Sequence, residues 1–72
     1  MYRYIFKIVK DNDIHIIAIN VLLGTTVEDI KKAFSEFEFD KENDGITRIL
    51  NKICLKNRWS WNEIELDGEI IL

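Results

Sequence analysis

From residue 63 onward an acid stands at every second position, Glu63, Glu65, Asp67 and Glu69, with Ile64, Leu66, Gly68, Ile70 and Leu72 in the other register. A period of two is the side-chain repeat of an extended strand, whose neighbours point to opposite faces. This alternation predicts a strand over 63–72 with one carboxylate face and one apolar face. A competing signal lies at its start, where Ser60 followed by Glu63 matches a capping box and would open a single helical turn. The alternation outlasts any one-turn motif, so the strand is the expected form.

The rest of the chain orders itself around that strand. Tyr2, Tyr4, Phe6 and Ile8 alternate with Arg3, Ile5, Lys7 and Val9, stop at Asp11-Asn12-Asp13, and give way to the β-branched run Ile14 to Val21, which reads as a β-hairpin. Gly24-Thr25 breaks the pattern. Thr26 then stands three residues before Asp29, as a capping box requires, and Val27, Ile30, Phe34 and Phe37 follow at helical spacing, predicting a helix from Thr26 to near Phe37. After Asp44-Gly45, the residues Ile46, Ile49, Leu50, Ile53 and Cys54 fall on one face and Arg48, Lys52 and Lys56 on the other, predicting a second helix that ends near Asn57. The expected fold is α+β in the order ββααβ: one small domain over 1–72, a three-stranded antiparallel sheet with both helices on one face and the other face open to water.

Size and charge bound the function. A chain of 72 residues holds one small core, worth on the order of 3–5 kcal/mol of net stability, with no room for a substrate domain. Cys54 is the single cysteine, which precludes an intrachain disulfide and fits a reducing, cytoplasmic setting. The longest apolar stretch, Ile14 to Leu23, is too short to span a bilayer. Ten basic against thirteen acidic side chains give a net charge of −3, the wrong sign for general attraction to phosphate backbones.

With the last strand placed beside the first, Glu63, Glu65, Asp67 and Glu69 share the open face with Arg3 and Lys7, and two cations do not neutralise four acids. The face then reads either as solvated charge that protects a sheet edge or as an electronegative platform for a basic partner. Trp59 and Trp61 have the parity of these acids and would stand at one end of the row, where indoles often dominate interface energetics; the plainer reading has them capping the core. A second acidic run, Glu36, Glu38, Asp40, Glu42 and Asp44, forms a secondary acidic loop. Its Asp40, Glu42, Asp44 and Gly45 match the first half of an EF-hand calcium loop, but the twelfth position is Asn51 where a bidentate Glu is needed, so no metal is expected and Asp44 is assigned as the cap of the second helix.

No catalytic constellation emerges. His15 is the only histidine and Cys54 lies on an apolar helix face; neither has a partner for zinc or for nucleophilic chemistry, and no cofactor motif is present. Arg48, Lys52, Lys56 and Arg58 are the best nucleic-acid candidates, although such stripes are usually the wet side of a helix.

The hairpin followed by Thr26-Val27-Glu28-Asp29-Ile30-Lys31 resembles the start of a ubiquitin-like β-grasp domain over roughly the first half of the chain. The second half offers a helix where that family has further strands, and Ile70-Ile71-Leu72 is not the diglycine of a conjugated modifier. In size, acidity and lack of catalytic residues the chain is similar to phage-encoded inhibitors such as anti-CRISPR proteins, a similarity of class without a shared motif. These features lead to the expectation of a non-catalytic module, monomeric or homodimeric, that occupies the basic nucleic-acid-binding surface of a larger protein such as a nuclease. The alternatives are a small nucleic-acid-binding regulator and a homodimeric structural subunit.

Overall fold

The computed structural model describes residues 1–64. Strand β1 (Tyr2–Lys10) and strand β2 (Asp13–Val21) form the expected hairpin, in continuous register from Tyr2 opposite Val21 to Lys10 opposite Asp13. The two linking residues, Asp11 and Asn12, both have positive φ, at 53° and 67°. A two-residue hairpin turn that follows the strand twist needs that pair of conformations, and Asp and Asn are the non-glycine residues that adopt it most readily.

Beyond β2, Thr25 N–H donates to the Leu22 carbonyl at 3.1 Å and Gly24 supplies the positive φ of 91° inside that turn. Helix α1 (Val27–Glu36) begins on Thr26, whose hydroxyl accepts from Asp29 N–H while the Asp29 carboxylate accepts from Thr26 N–H. Helix α2 (Ile46–Asn57) ends where Arg58 takes the left-handed conformation, φ 60° and ψ 35°. Trp59 N–H then returns to the Cys54 carbonyl at 2.9 Å, and the chain turns directly into strand β3 (Ser60–Glu63).

The element order is ββααβ and the sheet is antiparallel, as expected, but its strands lie in the order β1-β2-β3. The third strand therefore pairs with β2 and not with β1. It also begins at Ser60, three residues before the expected start, and the capping-box reading of Ser60 and Glu63 does not hold: Ser60 Oγ accepts from Asn20 Nδ2 at 3.2 Å, and Glu63 faces His15. The burial of β2 explains the order. Ile17, Ala18 and Ile19 are all fully buried and the strand is paired on both edges, which suits a central position.

The core lies between the helices and one face of the sheet. Ile17, Ile19 and Val21 meet Ile30 of α1 and Leu50 and Cys54 of α2, with Tyr4, Phe6, Ile8, Phe34, Ile46, Trp59 and Trp61 packed around them. The Tyr4 hydroxyl donates to the Thr25 carbonyl at 3.1 Å and ties the hairpin to the start of α1. On α2 the inward and outward positions carry opposite expectations. Leu50→Ala should cost on the order of 2–5 kcal/mol, the range for a truncated core leucine, whereas Leu55→Ala, at a side chain 83% exposed, should change stability by less than about 0.5 kcal/mol. Urea melts of the two variants check this, and equal losses would contradict the orientation of α2.

Candidate interaction surface

The register of β3 decides which way its side chains point. Trp61 lies opposite Ile19 and Glu63 opposite Ile17, so both project to the helix-covered face. Glu63 is thus not on the open face where the alternation was expected to put it. The cause is Trp61: its indole is the largest apolar group of the strand, packs on the core, and donates from Nε1 to Asn51 Oδ1 at 2.8 Å. A one-residue change in parity moves every side chain of a strand across the sheet, and Glu63 is carried with Trp61 to the core side. There it stays exposed at the margin, with Oε1 at 3.5 Å from His15 Nδ1. Trp59 is half-buried and packs on the same core, so the tryptophans support the fold from this side. Glu65, Asp67 and Glu69 lie outside the described residues.

The open face carries Arg3, Ile5, Lys7 and Val9 from β1, Ile14, Ile16, Ala18 and Asn20 from β2, and Ser60, Asn62 and Ile64 from the third strand's side. Ile5, Val9 and Ile14 are each about 60% exposed. Among the described residues this face is therefore apolar and cationic, and of the acids expected there Glu63 is the one whose position is described, on the other face. The signal for an apolar open face was available, because β1 has apolar residues in both registers, not only in the one facing the helices.

The acidic run 36–44 is where carboxylates gather. After α1 the chain is extended, the Phe37 and Phe39 rings stack with centroids 6.3 Å apart, and Phe39 remains 38% exposed. Asp40 and Asp44 then organise the turn. Glu42 N–H and Asn43 N–H donate to Asp40 Oδ1 at 2.9 and 3.3 Å, Asn43 Nδ2 donates to Asp40 Oδ2 at 2.7 Å, and Asp40 N–H donates to Asp44 Oδ2 at 2.9 Å. Asp44 is nearly buried and pairs with Arg48 Nε at 3.3 Å. It does not cap α2: the N-cap is Gly45, without a side-chain bond, because the Asp44 carboxylate is already engaged by the loop and by Arg48. Among the described residues no group of three or more His, Cys, Asp or Glu side chains is arranged to hold a metal ion.

Glu38 and Glu42 remain exposed, with no ion-pair partner among the described residues, and Glu36 has only a long contact of 3.9 Å with Lys32. Glu36 and Glu38 join Asp29 around a groove of about 550 Å³ between α1 and α2, which Lys32 and Lys56 also line and which reaches Ile53. Neither Asp29 nor Lys32 was marked as a site residue from the sequence, since only the packing of the two helices brings them beside Glu38. The basic stripe of α2 is partly compensated in the same way, with Arg48 held by Asp44 and Lys56 on the wall of the acidic groove. Cys54 is buried, and burial pushes its thiol up to about 11, so it is protonated and inert at neutral pH.

No protein-family model, characterised protein or solved structure matches the chain. No helix among the described residues is long and apolar enough to cross a membrane.

The loop's hydrogen bonds have a pH signature. Asp40 is held below the usual aspartate value of 3.8 by the Asn43 side chain and the backbone N–H groups of Glu42 and Asn43. A depressed carboxylate contributes stability that is present above the unfolded value and lost as pH falls through the folded one. The stability difference between the wild type and Asp40→Asn should accordingly be steady from about pH 7 to 5 and shrink below about pH 4, as read by urea unfolding. A difference that stays constant down to about pH 2.5 would show that the loop does not depend on the Asp40 charge.

Proposed function

We propose that the chain is a non-catalytic binding module whose acidic arm, residues 36–44, engages a basic surface of a larger protein. The observation that carries this reading is the division of labour among the arm's acids. Asp40 and Asp44 are used internally to fix the backbone, while Glu36, Glu38 and Glu42 stand in water on the same segment as the partly exposed Phe39 ring. An arm already held in shape loses less conformational entropy on binding, and an exposed aromatic among carboxylates offers apolar contact together with long-range steering toward cations. The buried, protonated Cys54 and the solitary His15 support a non-catalytic role.

A lysine- and arginine-lined groove that binds nucleic acid is the partner surface that such an arm matches best, and blockade of a nuclease, in the manner of phage anti-CRISPR inhibitors, is the sharpest form of the proposal. Glu65, Asp67 and Glu69 add to the acidity of the chain, and their part is separable by experiment.

The test is capture from cell lysate at low and high salt with the wild type, Glu38→Lys/Glu42→Lys and Glu65→Lys/Asp67→Lys, followed by mass spectrometry. The wild type should retain basic nucleic-acid-binding proteins, less so at high salt, and the arm variant should lose on the order of tenfold or more of that retention with an unchanged circular dichroism spectrum. Unchanged capture by the arm variant, or loss confined to the variant of residues 65 and 67, would move the site away from the arm. Direct, salt-sensitive binding of DNA or RNA by the free protein would favour the basic stripe instead.

A further inference from the structure

The outer edge of β1 is a second surface, independent of the acidic arm. β1 is nine residues long, pairs among the described residues with β2 alone, and runs in unbroken register without a bulge or a proline. On its free side alternate residues turn their backbone N–H and C=O groups outward, a template for one more strand. Directly beside this edge lies a groove of about 190 Å³ between β1 and α1, lined by Phe6, Ile8, Ile30 and Phe34 with Lys7 and Lys31. A free strand edge flanked by an apolar groove is the arrangement in which an added peptide gains affinity from main-chain hydrogen bonds and specificity from alternate side chains.

The charges specify the peptide. Lys7 and Lys31 are the only charged residues on the groove, and Arg3 shares the open face of β1 with Lys7. A second copy of β1 laid on this edge would bring cations against cations, which disfavours self-pairing. We infer that the β1 edge binds an extended segment of a partner protein in which apolar residues alternate with acidic ones, added as a fourth strand. Its apolar side chains enter the Phe6/Ile8/Ile30/Phe34 groove. The alternate carboxylates come to lie on the open face beside Arg3 and Lys7, while Lys31 favours further acidic groups at the rim of the groove.

The probe is a fluorescein-labelled octapeptide alternating glutamate with leucine, compared with one alternating lysine with leucine. Fluorescence anisotropy should show binding of the first and not of the second, and Lys7→Glu/Lys31→Glu should weaken it by about tenfold or more while leaving the circular dichroism spectrum unchanged. Amide shifts in the two-dimensional NMR spectrum should map to residues 2–10 and to α1. Equal binding of both peptides, no binding of either, or shifts centred on residues 36–44 would overturn the inference. So would a wild-type dimer in sedimentation whose interface maps by NMR to residues 2–10, because the edge would then be occupied by a second copy.

Discussion

Ile17, Ile19 and Val21 project into the core from a strand that is hydrogen-bonded along both edges, and the position of every other element follows from that arrangement. β1 reaches β2 through a two-residue turn and adds Tyr4, Phe6 and Ile8 to the same face. Both helices bury an apolar stripe on that face, where Tyr4, Phe6 and Trp61 join the aliphatic side chains of β2, whereas the other face carries Arg3 and Lys7. The left-handed Arg58 lets the chain leave α2 and enter β3 within two residues, so the second helix and the outer strand are placed together.

Much of this was legible in the sequence for a simple reason: its elements are set by local chemistry. The Asp11-Asn12 turn, the Thr26/Asp29 capping box and the apolar stripe of α2 each carry their own signal, and each appears where it was expected. The side of the hairpin on which the last strand lands is decided by packing at long range, and alternation alone is symmetric with respect to it. The facing of Glu63 failed for the same reason. A strand of alternating acids and aliphatics suggests aliphatics inward, but Trp61, two residues earlier and in the acids' own register, has more apolar surface to bury and an acceptor in Asn51. Asp44 shows a third kind of miss, since a carboxylate next to a helix start is a good cap only while nothing nearer engages it, and here Asp40 N–H and Arg48 do.

The net charge of −3 conceals a separation of charge. Carboxylates collect on the arm between the helices, whereas the open face of the sheet and the edge of β1 carry Arg3 and Lys7 among exposed isoleucine and valine. Among the described residues the protein thus presents two chemically different surfaces, one acidic and one cationic and apolar. Helix α1 borders both grooves, with Glu36 on one side and Lys31 on the other.

The hairpin turn and the third strand also differ in how far apart along the chain their partners lie. Lys10 and Asp13 are three positions apart along the chain, while Asn20 and Ser60 are forty apart. Hairpins close in about 1–10 μs, and contacts between distant residues wait on the loop entropy that must first be lost. The pairing that closes the hairpin is thus local, and the pairing that covers the outer edge of β2 is not. Whenever β3 is unpaired, the outer edge of β2 is bare, so that long-range closure is what shields the central strand from a foreign one.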